Sequence, residues 1–301
     1  MSILGTFRDP VLAAFGKRFS STEQTLIPGR KVEQYTVRQK NWRNAWADIR
    51  DGLGDWRLWS MLAWQDTRQR YSRTVIGPFW MTLSIGLFVA TMGFLYSVLF
   101  KQPASEYIPF LAAGYISWMF FSVVVTESCG VFALNKSIIE VRKIPASLFV
   151  YRMITRNLIG YGHNMVVYVI VALWFGIYPG LYILLLLPAL FLIMVSGVWL
   201  GLILGLVSAR FRDVPQLITN LLTVLFFVTP VIWVPNMGEN RLMAFANFNV
   251  LYHYVSVLRQ PLLGRPPDGL SWLVVIGTTI FGMLISFILF ARFRSRIPYW
   301  L

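Results

Sequence analysis

From about residue 78 to the end of the 301-residue chain, long apolar runs alternate with short polar ones. Six runs are long enough to cross a bilayer, which takes about 20 residues of helix: 78–100, 108–133, 155–178, 181–207, 215–234 and 270–291. The first, PFWMTLSIGLFVATMGFLYSVLF, and the last, LSWLVVIGTTIFGMLISFILF, carry no charge. Spanning β-strands would alternate over about ten residues, so the pattern predicts helices. Ahead of the runs, Trp42, Trp46, Ile49, Leu53, Trp56, Trp59, Leu62 and Ala63 recur at three- and four-residue spacings among Asp, Arg and Gln. That spacing predicts an amphipathic helix interrupted at Gly52 and Gly54, and its Trp and Arg content suits a membrane interface better than a soluble partner. Residues 235–269 are too apolar for a plain loop and too broken to span. LMAFANF and VLYHYVSVLRQPLL predict short re-entrant helices forming an outer lip, with Phe245, Phe248, Tyr252, His253 and Tyr254 as gate residues. The expected fold is an all-α integral membrane protein: an extension (1–41), an interfacial helix region (42–77) and a six-helix transmembrane domain (78–301).

Composition excludes a soluble domain. Hydrophobic residues make up 56% of the chain and charged ones 13%, against about a quarter charged in soluble proteins. The net charge of +14 would suggest nucleic acid in a soluble chain, but here the cations fall between apolar runs and form no continuous basic face, so no nucleic-acid partner is expected. Lys and Arg place both termini in the cytoplasm. The segments 1–77, 134–154, 208–214 and 292–301 hold 22 of them, against four in the intervening loops. Residues 1–20 contain Arg8, Asp9, Lys17 and Arg18 without an apolar core, unlike a cleavable signal peptide. Arg68, Arg70 and Arg73 then sit at headgroup level. Gly77-Pro78 turns the chain into the membrane, and Phe79 and Trp80 anchor its entry.

The chemistry-bearing residues are few. FGKRF at 15–19 lacks the spacing of a phosphate loop, so any ATP must be handled by another chain. No metal is expected, with two histidines (His163, His253) far apart, and the one cysteine, Cys129, reads as packing. Only Glu127 and Arg156 are ionisable within spans, which argues against an ion-driven carrier or a paired-carboxylate enzyme; Glu127 is expected to pair with a neighbouring Arg or reach the interface. Aromatics are abundant. Taken singly they read as packing, but Tyr115, Trp118, Phe121, Tyr161 and Tyr168 together suit a passage for sugar rings.

Four stretches in order resemble the membrane subunit of type-2 ABC exporters for polysaccharides, the O-antigen and capsule permeases. They are RQRYSRTVIGPFW, ARFRDVPQLITNLLTVLFFVTPVIW (209–233), FNVLYHYVSVLRQPLLG and SRIPYWL, and the resemblance covers about residues 55–301. Thr74, Ile76 and Val250 stand where that family commonly has Ser, Leu and Pro. The resemblance implies a multi-pass protein of the bacterial inner membrane that is not itself an enzyme and carries no cofactor. It implies a homodimer joined to two copies of an ATPase that binds ATP and Mg, moving a polyprenyl-diphosphate-linked polysaccharide outward. Arg68, Arg70 and Arg73 would then meet the lipid diphosphate. Glu140, Arg142 and Lys143 in the loop 134–149, with Arg210 and Arg212, would contact the ATPase. The competing readings are a membrane enzyme acting on polyprenyl-linked sugars, and an exporter of capsule, teichoic acid, a small lipid or a drug.

Overall fold

The computed structural model describes residues 42–71, 79–141, 144–234 and 246–301. It is an all-α integral membrane protein, with no strand among the described residues. Two helices, α1 (Trp42–Gly54) and α2 (Trp56–Tyr71), precede the apolar part. There follow α3 (Phe79–Leu99), α4 (Ala104–Gly130), the short α5 (Lys136–Val141), α6 (Ser147–Phe175) and α7 (Leu186–Arg210, led in by a 3-10 turn from Gly180). The chain continues through α8 (Val214–Val228), α9 (Val250–Leu262), α10 (Gly269–Phe293) and a last turn, α11 (Ile297–Trp300).

Among the described residues five helices, α3, α4, α6, α7 with its lead-in, and α10, are long and apolar enough to cross a membrane. The fifth expected run, 215–234, is not one of them. Its helix ends after 15 residues, about 22 Å of the roughly 30 Å a bilayer core requires. The cause is Thr229-Pro230. Pro230 offers no N–H, and the residue before a proline is driven out of helical conformation; Thr229 is extended at φ −80° and ψ 133°. The third run begins earlier than expected, at Ser147. Charge there is tolerated inside a helix because partners neutralise it, as described below.

The axis of the bundle is α4. Over its most apolar window 67% of residues are buried, against 28% for each of the other four long helices. Against it pack α3, α6, α7, α8 and α9, with Ala112, Ala113, Ile116, Phe120 and Val124 at the contact. The close approach of α7 depends on Gly197, Gly201 and Gly205, four residues apart. A Cβ on Gly201 would lie 2.5 Å from Val150 of α6, and one on Gly205 would lie 2.6 Å from Val131 at the end of α4. Small residues matter here because lipid gives helices no hydrophobic reason to associate, leaving van der Waals fit to hold them together.

The first two helices pack on α6, and α1 also on α10. Ala45, Asp48 and Gly52 are buried, while Leu53 and Trp56 are exposed by 55% and 57% and the half-open rings of Trp42 and Trp46 lie against Phe287 of α10. Asp48 explains the arrangement. Its carboxylate accepts from the backbone N–H groups of Ala146 (3.1 Å) and Ser147 (3.0 Å), capping α6 from a different helix. It also pairs with Arg294 Nε at 2.6 Å, and the Ser147 hydroxyl donates to its carbonyl. The first N–H groups of a helix have no internal partner, and a carboxylate there also meets the positive end of the helix dipole. Replacing Asp48 by Ala is expected to cost about 3 kcal/mol, the usual effect of breaking a buried pair. It should lower the unfolding temperature of the detergent-solubilised protein, whereas Asp51→Ala, on the exposed side, should leave it unchanged.

Candidate functional site

A groove with a cavity of about 400 Å³ opens between α4 and α8. On α4, Tyr115, Trp118, Ser122 and Thr126 follow one another at three- and four-residue steps and so share a face. From α8 come Thr219, Thr223 and Phe226. Tyr115 lies stacked on Phe88 of α3, ring centres 4.1 Å apart, and meets the edge of Phe226. Trp118 is 5.6 Å from the same ring. The Thr126, Thr219 and Thr223 hydroxyls donate to carbonyls one turn back at 2.9–3.0 Å. Their protons are thus committed and their lone pairs remain as acceptors. The groove therefore combines aromatic surface with hydroxyl acceptors. Along its far side α8 is uncovered: Leu217, Leu221 and Val224 are all exposed.

The C-terminal end of α8 is held by other elements. Arg259 of α9, only 1% exposed, donates to the Pro230 carbonyl at 2.7 Å and lies 4.2 Å over the ring of Phe110. The Tyr107 hydroxyl donates to the Ile232 carbonyl. Asn249, which caps α9 by accepting from Leu251 N, turns its amide to the Thr229 hydroxyl at 2.8 Å. Burial lowers the Arg259 pKa to about 10, far enough above neutrality that it stays a cation.

A second polar cluster ties α2 to α4 and α6. Asp66 receives Arg152 (Nε, 2.7 Å) and Arg156 (Nη1, 3.0 Å), and Arg156 reaches on to Glu127 at 2.7 Å. Asn157 also donates to Glu127 at 2.8 Å. Two cations and two carboxylates cancel. The expected pairing of Glu127 with an Arg is present; Asp66, unremarked in the sequence, completes it. The signal was available, since Arg152 and Arg156 lie one turn apart at the entrance of an apolar run and require counter-charge.

The other sequence candidates fall in different places. Phe121 packs on Tyr254 at 4.8 Å, Tyr161 packs on Phe120 at 4.6 Å, and the Tyr168 hydroxyl donates to the Leu262 carbonyl. None of the three lines the groove, which takes Tyr115 and the edge of Trp118, itself only 4% exposed. Tyr252, His253 and Tyr254 are buried in α9, with His253 between Ser271 Oγ (3.0 Å) and the Asn247 carbonyl (2.9 Å), while Phe248 is exposed. Arg68, Arg210 and Arg212 are exposed. Arg73, Arg142, Lys143 and Phe245 lie outside the described residues, as do the side chains of Arg70 and Glu140.

Long apolar helices around a central one, with an aromatic groove left open beside a short helix, define a helical membrane protein. The chain belongs to the ABC-2 type transporter family, whose model matches residues 57–263. Among its relatives is an O-antigen export system permease protein RfbA of Myxococcus xanthus, 24% identical over 173 residues, which are 57% of this chain and 66% of that protein. The chain thus spans just under two thirds of that relative. Two proteins of the same name from Klebsiella pneumoniae are 22% identical over 62% of the chain (73% of the relative) and 21% over 65% (76% of the relative).

Arg259→Leu leaves the Pro230 carbonyl without its donor in a buried position, a loss of about 1–3 kcal/mol. Amide hydrogen exchange over residues 229–234 is expected to speed up, while exchange in α10 stays as it was.

Proposed function

We propose that this chain is the permease subunit of an ATP-driven exporter, carrying polyprenyl-diphosphate-linked polysaccharide of the O-antigen type from the cytoplasmic face of the inner membrane outward. The observation that carries this reading is the groove. Aromatic faces and hydroxyl acceptors suit sugar rings, which present apolar C–H faces and hydroxyl rims. They flank the helix that a single chain leaves uncovered, in a protein whose relatives are named O-antigen export permeases. Two copies meeting along α8 would enclose a passage, and a separate ATPase pair would supply hydrolysis. The charge asymmetry puts α1 and α2 on the cytoplasmic side, with the outward Trp residues of α1 and α2 at the lipid interface and exposed Arg68 beside the lipid phosphates. Exposed Arg210 and Arg212 then face the ATPase, and α5 heads a second contact on the same side.

Deleting the gene is expected to remove the surface glycan and leave its lipid-linked precursor inside the cell. Complementation by the wild-type chain should restore export. Thr223→Trp, which fills the groove, should not, at equal membrane abundance. Trp118→Ala should lower export roughly tenfold, the effect of losing about 1.4 kcal/mol of aromatic contact. Normal export of long glycan by Thr223→Trp would sink the proposal.

A further inference from the structure

Away from the groove, a second feature on the bundle resembles a site for a lipid. An apolar crevice with a cavity of about 540 Å³ lies between α3 and α6, within the roughly 300–1,000 Å³ of ligand pockets. Its walls are Thr82, Gly86 and Val89 on one side and Val167, Val171 and Trp174 on the other. Gly86 opens it, since a Cβ there would meet nothing nearer than Val167 at 3.8 Å. On the α6 side, Asn164 precedes Val167, Val171 and Trp174 at three- and four-residue steps, so all four share one stripe.

At the α2 end of that stripe the lining turns polar. A cavity of about 40 Å³ is bordered by Thr67, Arg156, Asn157, Tyr161 and Asn164. Asn164, 5% exposed, borders the same cavity. Arg156 Nε is buried without an acceptor. The Tyr161 hydroxyl makes no hydrogen bond; it lies near Ser117, whose own proton goes to the Ala113 carbonyl at 2.7 Å. Buried donors in such a position call for an acceptor. At about 10–15 Å³ per water-sized probe the space admits about three or four small groups, too few for a diphosphate. The neighbouring Arg152, Arg156, Asp66 and Glu127 cancel in charge, so nothing there selects an anion.

We propose that the crevice is a binding site for a glycerophospholipid of the leaflet on the α2 side, with one acyl chain lying between α3 and α6 and its ester carbonyl accepting from Asn164. The site holds whatever the exporter's cargo is, because it lies on a different pair of helices from the groove. Its occupant would wedge α3 against α6 and so set the position of the helix that follows the Arg68 region.

The test is native mass spectrometry of the full-length protein, extracted in mild detergent and washed stepwise, with bound lipid identified. One phospholipid per chain should survive washing. Gly86→Leu and Ala90→Phe, which fill the crevice, should cut retention roughly tenfold, and Asn164→Leu roughly fivefold, one hydrogen bond's effect. Ala90 is exposed on α3, so Ala90→Phe decides the matter if Gly86→Leu fails to fold. Equal retention by Ala90→Phe, a wild-type protein that washes free of lipid, or retention of polyprenyl phosphate in place of phospholipid would overturn the proposal. Export assays on the same variants report separately on the cargo.

Discussion

The carboxylate of Asp66, shared between Arg152 and Arg156, is the contact on which the arrangement of this molecule depends most. Apolar helices in lipid gain little by touching one another, so geometry falls to close fit and to polar ties that have nowhere else to go. Here one acid on α2 bridges two cations at the entrance of α6, and Glu127, which completes the charge balance, extends the tie to α4. Remove the acid and Arg152 loses its carboxylate, leaving Arg156 to Glu127 alone. Asp48 does the same work one helix earlier, closing the first turn of α6 and holding Arg294 near the end of the chain. The two preceding helices are therefore built into the bundle by ion pairs and by ring contacts of Trp42 and Trp46 with Phe287 and of Trp59 with Tyr151, while Trp56 and Trp64 stay exposed.

This division of labour explains what could be read from sequence. Apolar run length reflects the bilayer directly, so α3, α4, α7 and α10 end within a few residues of their runs. Where a second constraint competed, run length misled. Pro230 ends α8 early, although the apolar stretch continues. In α1, periodicity located the apolar stripe but gave no sign of the small, polar strip, Ala45, Asp48 and Gly52, that packs on protein. The spacing of Gly197, Gly201 and Gly205 was legible as a close-packing signal and had gone unread.

The candidate site was legible only in part. Tyr115 and Trp118 meet at the groove because they share a face of α4 with Ser122 and Thr126. Phe121, one position from Phe120 and three from Trp118, turns into the interior and packs on Tyr254. Composition cannot separate these roles; angular position on a helix can, once its neighbours are known. Threonines 219 and 223 carried no visible signal, since a hydroxyl in an apolar run usually bonds back to its own helix, as these do.

The unequal anchoring of α8 gives that helix mechanical meaning. Arg259, Tyr107 and Asn249 clamp its far end, while at its near end the turn after Arg210 is solvent-exposed and the flank bearing Leu217 and Leu221 is bare. A push delivered at that turn would swing a rod of about 22 Å around a fixed pivot, so that small displacements at one membrane surface become a change of aperture along the whole flank without disturbing the pivot itself.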